Sequence, residues 1–433
     1  MKAIDIFWFR RDLRLEDNVG FAAALSTGRK ILPIFIFDKN ILEELQEDDA
    51  RLTFIHDNVM AMNTSLEKAG TSGFAIYHDT PADVFEQLLS AHNIHTVHTN
   101  RDYEPYAKER DPAIELICRQ HETAFVTYKD QVIFEKDEVV KNDGGPYVVY
   151  TPYKKKWLSQ FTEDLLEPHR SEDHLGNCVE NMDLPKLSLE DLGFVRTDID
   201  IPDAILDRDT INSYGEQRNL PAIDATTRIG HHLRFGTISP REAVRLSLEH
   251  DSEVYQSELI WREFFMQVMY HYPHTMDKSF KAKYDNIEWR NNEEEFERWK
   301  TGTTGYGLVD AGMRQLNKSG FMHNRVRMLV ASFLVKHLMI DWRWGESYFA
   351  EKLLDYEASS NVGNWQWVAG SGVDASPYFR IFNPITQVKK FDKQEEYIKK
   401  WVPEYGTEDY PEMMVDHKES RERALRVYKA AVS

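Results

Sequence analysis

Tryptophans in polar company mark the stretch of this chain best suited to chemistry. Ten tryptophans occur in 433 residues, and eight of them lie between Trp261 and Trp401. Trp261 sits in ELIWREF, Trp342 and Trp344 in DWRWGE, and Trp365 and Trp367 in NVGNWQW. Packing is the commoner fate of an indole, and Trp299, in FERW, is read that way. Indoles interleaved with Arg, Asn, Gln and Glu suit a different role, in which they stack on flat rings while their neighbours hydrogen-bond the ring edges. Trp365 and Trp367, two residues apart on a helix, would be turned by about 200°, so one can face a buried partner and the other a cavity.

Positioning these side chains needs a helical frame, and the C-terminal half predicts one. Helical patterns run over Ser257–Tyr270, Val309–Lys318, Arg325–Leu338 and Glu346–Tyr356. Arg325–Leu338 is apolar almost all round, which places it in the middle of a helical domain. The first 130 residues read differently. Short apolar runs at Ile4–Phe9, Ile31–Phe37, Phe74–Tyr77, Thr96–Thr99 and Phe125–Tyr128 alternate with amphipathic stretches such as Arg51–Lys68 and Ala82–His92. That alternation predicts a doubly wound, mostly parallel α/β sheet. RRDLRLED follows the first strand in place of a Gly-x-Gly-x-x-Gly turn, which argues against a nicotinamide site. Residues 131–200 read as a long connection rich in Asp, Glu, Asn, Gly and Pro, with TPYKKKW (Thr151–Trp157) as a docking patch. The expected organisation is 1–130, an α/β domain; 131–200, a connector; and 201–433, an all-α domain.

Composition narrows the function classes. Two cysteines, Cys118 and Cys178, exclude a disulfide-dense scaffold and a Cys-rich zinc framework, and no metal site is expected. No run approaches ~20 apolar residues, and the N-terminus reads as a strand, not a signal peptide, so a protein of the cytoplasm with no membrane partner is expected. The net charge of −19 argues against a globally basic nucleic-acid binder. The acid load is uneven, however. Residues 1–200 hold 22 basic and 37 acidic residues, whereas 201–433 hold 31 and 35. Ala311–Ile340 carries Arg314, Lys318, Arg325, Arg327 and Lys336 with no acidic residue.

Several strings resemble the photolyase/cryptochrome family, and most closely a class I cyclobutane pyrimidine dimer photolyase. They are FWFRRDLRLEDN (Phe7–Asn18), ELIWREFF (Glu258–Phe265), TGYGLVDAGMRQL (Thr304–Leu316), GFMHNRVRMLVASFLVKHLMIDWRWGESYF (Gly320–Phe349) and NVGNWQWVAGSGVDASPYFRIFNPITQ (Asn361–Gln387). They span nearly the whole chain in the family's order. The resemblance implies an α/β antenna domain, a connector and a helical FAD domain that uses blue or near-UV light to repair dimers in UV-damaged DNA, acting as a monomer.

It also implies roles for individual residues. Asn361 matches the residue facing the flavin's ring nitrogen, where plant cryptochromes typically carry Asp; a neutral amide tolerates an anionic reduced flavin that a carboxylate would repel. Trp261 and Trp367 match the pair that sandwiches a flipped-out dimer, and Glu258 the carboxylate that hydrogen-bonds it. Asn324, Arg325 and Met328 match substrate contacts, and HNRVRM points to the cyclobutane lesion. Tyr214 and Thr226, Thr227, Arg228, Ile229 and Gly230 (TTRIG) match the stretch that binds the FAD diphosphate, with Gly230 where the family more often has Ser. Arg262, Arg327, Asp355, Tyr356 and Glu357 match positions around the isoalloxazine, and Arg327 with Asp355 an ion pair beside it. Trp365, Trp342 and Trp289 match an electron-transfer triad running from flavin to surface, and Arg218 and Gln387 match further DNA contacts.

In the antenna domain, DYEPYAKERD places Tyr106 and Ala107 where folate-binding members carry Asn and Glu. The second chromophore is therefore expected to be deazaflavin-type, a flavin or none, with Arg51, Asp102 and Glu104 as lining candidates. Two rival readings are a cryptochrome-like photoreceptor, against which the chain stops at Ser433 with no long tail, and a helical redox flavoprotein acting on small molecules.

Overall fold

The computed structural model describes residues 2–433. The chain divides into two compact units. The first is built from residues through Glu135, Gln160–Asp203 and Ile229–Leu246; the second from Lys136–Ser159, Ala204–Arg228 and Ser247–Ser433.

In the first unit, β1 (Ile4–Phe9), β2 (Ile31–Asp38), β3 (Ala75–Asp79), β4 (Ile94–Asn100) and β5 (Ala124–Tyr128) form one sheet in the order β3-β2-β1-β4-β5. Every neighbouring pair is parallel. Alternate residues of β1 serve opposite faces: Phe7 and Phe9 join one core, and Ile6 and Trp8 the other. β1 and β2, buried on both sides, are almost continuously apolar, whereas β4 buries the polar Thr96, His98, Thr99 and Asn100. Helices such as Ala50–Lys68 and Pro81–Ala91 link the strands. This is the doubly wound α/β architecture expected.

The boundaries expected at 130 and 200 differ from this division. The connection is shared: Leu189, Leu192 and Phe194 pack into the first unit's core, as does Phe235 from beyond residue 200. Tyr150–Gln160 is not loop but an α-helix, and its residues through Ser159 belong to the second unit. Its buried Tyr150, Tyr153 and Trp157 follow i, i+3, i+7 spacing, which puts them on one face.

The second unit is helical. Glu253–His271, Gly307–Ser319, Asn324–Ser332, Trp342–Lys352 and Ala358–Ala369 supply most of its core. The apolar stretch expected as one helix is an α-helix to Ser332 and then a π-helical turn, Phe333–Leu338, with all six side chains buried. Lys336 is among them: its Nζ donates to the Ala369 carbonyl at 3.0 Å and lies 3.6 Å from the centroid of the Tyr428 ring. The basic cluster expected over Ala311–Ile340 is therefore not one face, because Lys336 turns into the core and Arg314 pairs with Glu404 at 2.6 Å.

The helix expected at Glu346–Tyr356 is shifted. Asp341 caps it by accepting from the Arg343 amide at 3.0 Å, and Leu353 turns extended after Lys352. Leu354 N–H then bonds to the Gly320 carbonyl, so Leu353–Glu357 is a loop. Among the described residues, no helix is long and apolar enough to cross a membrane, and no group of His, Cys, Asp and Glu could hold a metal ion.

Ala358–Ala369 is held by two close approaches. A Cβ added at Gly345 would lie 2.1 Å from Trp365 Cη2, and one at Gly363 would lie 2.3 Å from Phe265 Cδ1. Each ring could give way only by shifting into the cavity it lines. Gly345→Ala and Gly363→Ala should each destabilise the protein by about 1–3 kcal/mol through overpacking, read as a lower melting temperature; an unchanged value at either site would contradict this packing.

Candidate functional site

Around Ala358–Ala369 the second unit opens a cavity of about 440 Å³, within the usual size of small-molecule sites. Glu357, Ser360, Asn361, Asn364, Trp365 and Val368 line it at helical spacing, and Trp367 joins them from the adjoining face. Both indoles of WQW thus border the cavity, instead of one facing away, because the cavity wraps round the helix. Trp365 is buried and makes an edge contact with Phe349 at 5.1 Å; Trp367 is half-buried. Glu253–His271 contributes Glu258, Trp261, Arg262 and Phe265. Asn324–Ser332 contributes Asn324, Arg325, Arg327, Met328 and Ala331, and the loop after Lys352 contributes Leu353, Asp355 and Tyr356. Every expected lesion-contact residue but Gln387 therefore lines one cavity, with Arg218 at its wall as well.

The polar groups are arranged in pairs. Arg327 donates to Asp355 at 2.9 Å and to the Met322 carbonyl at 2.7 Å. The second Asp355 oxygen, Oδ1, is buried without a partner. A buried carboxylate oxygen left unmatched is costly, so this wall suits a ligand that brings an N–H or O–H donor. That fits the polar edge of a flavin ring better than an apolar molecule. Arg262 lies 3.6 Å from Glu357, and Arg218 is ion-paired with Glu258. These pairs leave Arg325, which donates to Asn219 Oδ1 at 2.6 Å and has its guanidinium 4.5 Å from the Phe391 ring centroid, with no carboxylate in ion-pair range among the described residues. Burial, together with Arg218 and Arg380, lowers its pKa. The cavity thus carries a positive excess despite the acidity of the chain.

Asn361 donates its side-chain amide to Glu346, at 2.9 Å to Oε1 and 3.3 Å to the carbonyl. That leaves Oδ1 as the acceptor this residue can offer the cavity it lines. Glu346 escaped the sequence reading. Its signal was a charged residue on the stripe of Trp342, Gly345 and Phe349, the buried positions of its helix. Burial raises the Glu346 pKa, opposed by the bonds from Asn361 and Tyr356.

Other expected residues lie elsewhere. Tyr214 packs edge-on to Tyr255 at 5.2 Å and does not line the cavity. Thr226, Thr227 and Arg228 are also absent from its walls; Arg228 adopts φ 52° and pairs with Asp224 at 2.7 Å. Ile229 and Gly230 belong to the first unit. Gln387 sits half-buried on Pro384–Phe391. Trp342 is buried in the same core as Trp365, and Trp289 packs at that core's edge, 6.1 Å from Tyr428. Trp299, read as packing, is buried with its Nε1 bonded to the Val330 carbonyl, and its ring is 6.3 Å from Trp365.

In the first unit Arg11 joins Asp102 at 3.0 Å and Glu104 at 3.4 Å, while Arg51 pairs with Asp49. Burial works to raise the Asp102 pKa, but Arg11, Arg10, Arg110 and Arg234 outweigh it and hold the carboxyl below its usual range. Tyr106 donates to Asp38 at 2.5 Å, and Ala107 is buried.

The Glu346 environment predicts a pH dependence. Unfolded, this carboxyl titrates near its ordinary value of 4.5; folded, it titrates higher. The folded state binds the proton more tightly, so this contribution is present in full below that value and lost as the pH rises through the folded pKa. Glu346→Gln should flatten this segment of the stability curve, measured by denaturant titration across mildly acidic to neutral pH. Curves parallel at every pH would contradict the assignment.

Among known proteins, the pattern of the FAD-binding domain of DNA photolyase matches residues 255–407, and that of DNA photolyase matches residues 5–170. A deoxyribodipyrimidine photo-lyase of Agrobacterium fabrum is 36% identical, over 98% of this chain and 97% of its own. The crystal structure of a class III photolyase from Agrobacterium tumefaciens superposes with a TM-score of 0.89 at 35% identity, covering 100% of this chain and 98% of its own. Its class is III, where the sequence resemblance pointed to class I. An archaeal photolyase from Sulfolobus tokodaii, solved with two FAD molecules, gives a TM-score of 0.83 at 32% identity, covering 98% of this chain and 99% of its own.

Proposed function

The chain belongs to the DNA photolyase family and carries its FAD-binding domain, and on that basis we propose that it repairs cyclobutane pyrimidine dimers in DNA under blue or near-UV light. The observation that carries this reading is the pair of indoles, Trp261 and Trp367, bordering one cavity with Glu258, Asn324, Arg325 and Met328. A dimer cannot be reached within a duplex and must leave the stack. Aromatic walls replace the lost stacking, at roughly 1–3 kcal/mol per base. When bound and reduced, FAD supplies the light-driven electron that splits the dimer and receives it back, with no net redox change.

The protein's part is binding and orientation. Arg327, Asp355, Arg262, Glu357, Tyr356 and Asn361 would hold the flavin ring, and Tyr214 with Thr226, Thr227 and Arg228 would take the diphosphate. Asn361 suits its place for a reason visible in its partner. Its amide donates to Glu346, whereas a carboxylate at 361 could not donate and would set two acids side by side. Glu258 offers acceptors to the dimer's base edges once Arg218 turns to phosphate. Arg325, with no carboxylate in ion-pair range among the described residues, supplies attraction for the DNA backbone, with Gln387 assigned a further contact. Trp365, Trp342 and Trp289 are assigned the electron path to the surface. The reading also carries with it a monomer acting on UV-damaged chromosomal DNA in the cytoplasm.

Reduced holoprotein of the double variant Trp261→Ala, Trp367→Ala should lose at least about tenfold in affinity for dimer-containing DNA and fail to restore it under blue light at limiting protein, with FAD absorbance retained. Full repair by this variant would overturn the proposal.

A further inference from the structure

Resting on the reading of Trp261 as a lesion-stacking wall, we propose that Tyr150 is the positioning residue for that wall. Tyr150 opens the Tyr150–Gln160 helix, in the segment whose sequence promised only a docking patch. Its ring lies parallel to the Trp261 indole, with centroids 3.6 Å apart and planes 7° from coplanar. Trp261 lines the cavity and Tyr150 does not, so the tyrosine backs the indole face turned away from the lesion.

Aromatic pairs left to themselves prefer offset or edge-on arrangements over a near-sandwich, so other contacts must hold Tyr150 in register. Three do. Its hydroxyl donates to the Ser257 carbonyl at 2.7 Å and lies 2.6 Å from Ser257 Oγ, and its backbone N–H donates to Asp374 Oδ2 at 3.1 Å. Burial pushes the hydroxyl pKa up to about 12, which keeps it a donor. The same helix face continues the grip. Tyr153 packs 5.2 Å from Phe264, and Trp157 Nε1 donates to Glu263 at 2.6 Å. Tyr150, Tyr153 and Trp157 thus clamp the turn of Glu253–His271 that carries Trp261.

The consequence is preorganisation. A half-buried indole without backing samples several rotamers, and a stacking ligand must then supply the ordering free energy. With Tyr150 behind it, Trp261 presents a fixed plane before the lesion arrives. Tyr150 therefore acts on lesion affinity through Trp261, leaving attraction to the phosphate backbone and the chemistry of the bound lesion alone.

A double-mutant cycle on FAD-loaded protein tests this, with dark affinity for a duplex containing one cyclobutane dimer as the readout. Trp261→Ala should lose about tenfold or more. Tyr150→Leu should lose about tenfold in the wild-type background and less than about twofold in the Trp261→Ala background. Tyr150→Phe, which keeps the ring but removes the hydroxyl contacts that hold it in register, should show a loss smaller than that of Tyr150→Leu, about threefold. Affinity for undamaged DNA and repair yield per bound lesion should be unchanged in Tyr150→Leu. If Trp261→Ala loses nothing, the reading of the wall itself fails. If Trp261→Ala loses affinity but Tyr150→Leu does not, or loses as much in both backgrounds, the positioning role is overturned. Should Tyr150→Leu not load FAD, Tyr150→His, a smaller flat ring, takes its place in the same cycle: a loss seen only with Trp261 present supports the proposal, and no loss overturns it.

Discussion

The site depends on how closely Ala358–Ala369 packs against its two neighbours. Gly345, with no side chain, leaves room for the indole of Trp365, and Gly363 lets the backbone meet Phe265. Each close approach lies beside a functional group. Glu346 follows Gly345, and Asn361 precedes Trp365 by one turn, so one helix contact sets both the buried indole and the amide–carboxyl bond. Phe265 follows Trp261 by one turn, and Gly363 precedes Trp367 by one turn. The same contact that omits a side chain at 363 therefore fixes how far apart the two indole walls stand.

Charge in the cavity is handled in a similar way. Arg218 with Glu258, Arg262 with Glu357 and Arg327 with Asp355 balance one another. Such pairs are weak evidence for stability, because desolvation consumes most of the Coulomb gain. Their use is orientation: each holds a group at the wall until a ligand offers better partners, as the unmatched Asp355 oxygen already invites. Arg325 alone gives the cavity its positive excess. A chain of net charge −19 can meet DNA in this way, by a local cation beside aromatic walls instead of a basic surface.

Legibility in the sequence followed the strength of the physical signal. β1 and β2 are almost continuous apolar runs buried on both faces, whereas β3, β4 and β5 were readable from their short β-branched and aromatic runs between helical stretches. The Trp261, Trp365 and Trp367 strings pointed to the helices that enclose the cavity. What escaped depends on partners distant in sequence. Trp342–Lys352 begins at an Asp341 cap and ends in a loop with no Gly or Pro to announce it, so its expected span slid by four residues. Glu346 gains meaning only from Asn361. Tyr150 lay in a short polar stretch whose amphipathic face becomes visible once Glu253–His271 is set against it. Lys336, counted with a basic cluster, turns inward because the π-helical turn is buried on every side. The Thr226–Gly230 string, matched by resemblance, does not reach the cavity walls.

On the proposed function, the cavity between Trp261 and Trp367 receives a dimer taken out of the duplex. A duplex with one cyclobutane dimer and the fluorescent base 2-aminopurine in the opposing strand reads this directly in the dark, since 2-aminopurine brightens when it loses its stacked, paired neighbours. Fluorescence should rise saturably as FAD-loaded protein binds, with no rise for the undamaged duplex. Tight binding to the damaged duplex with no change in fluorescence would contradict it.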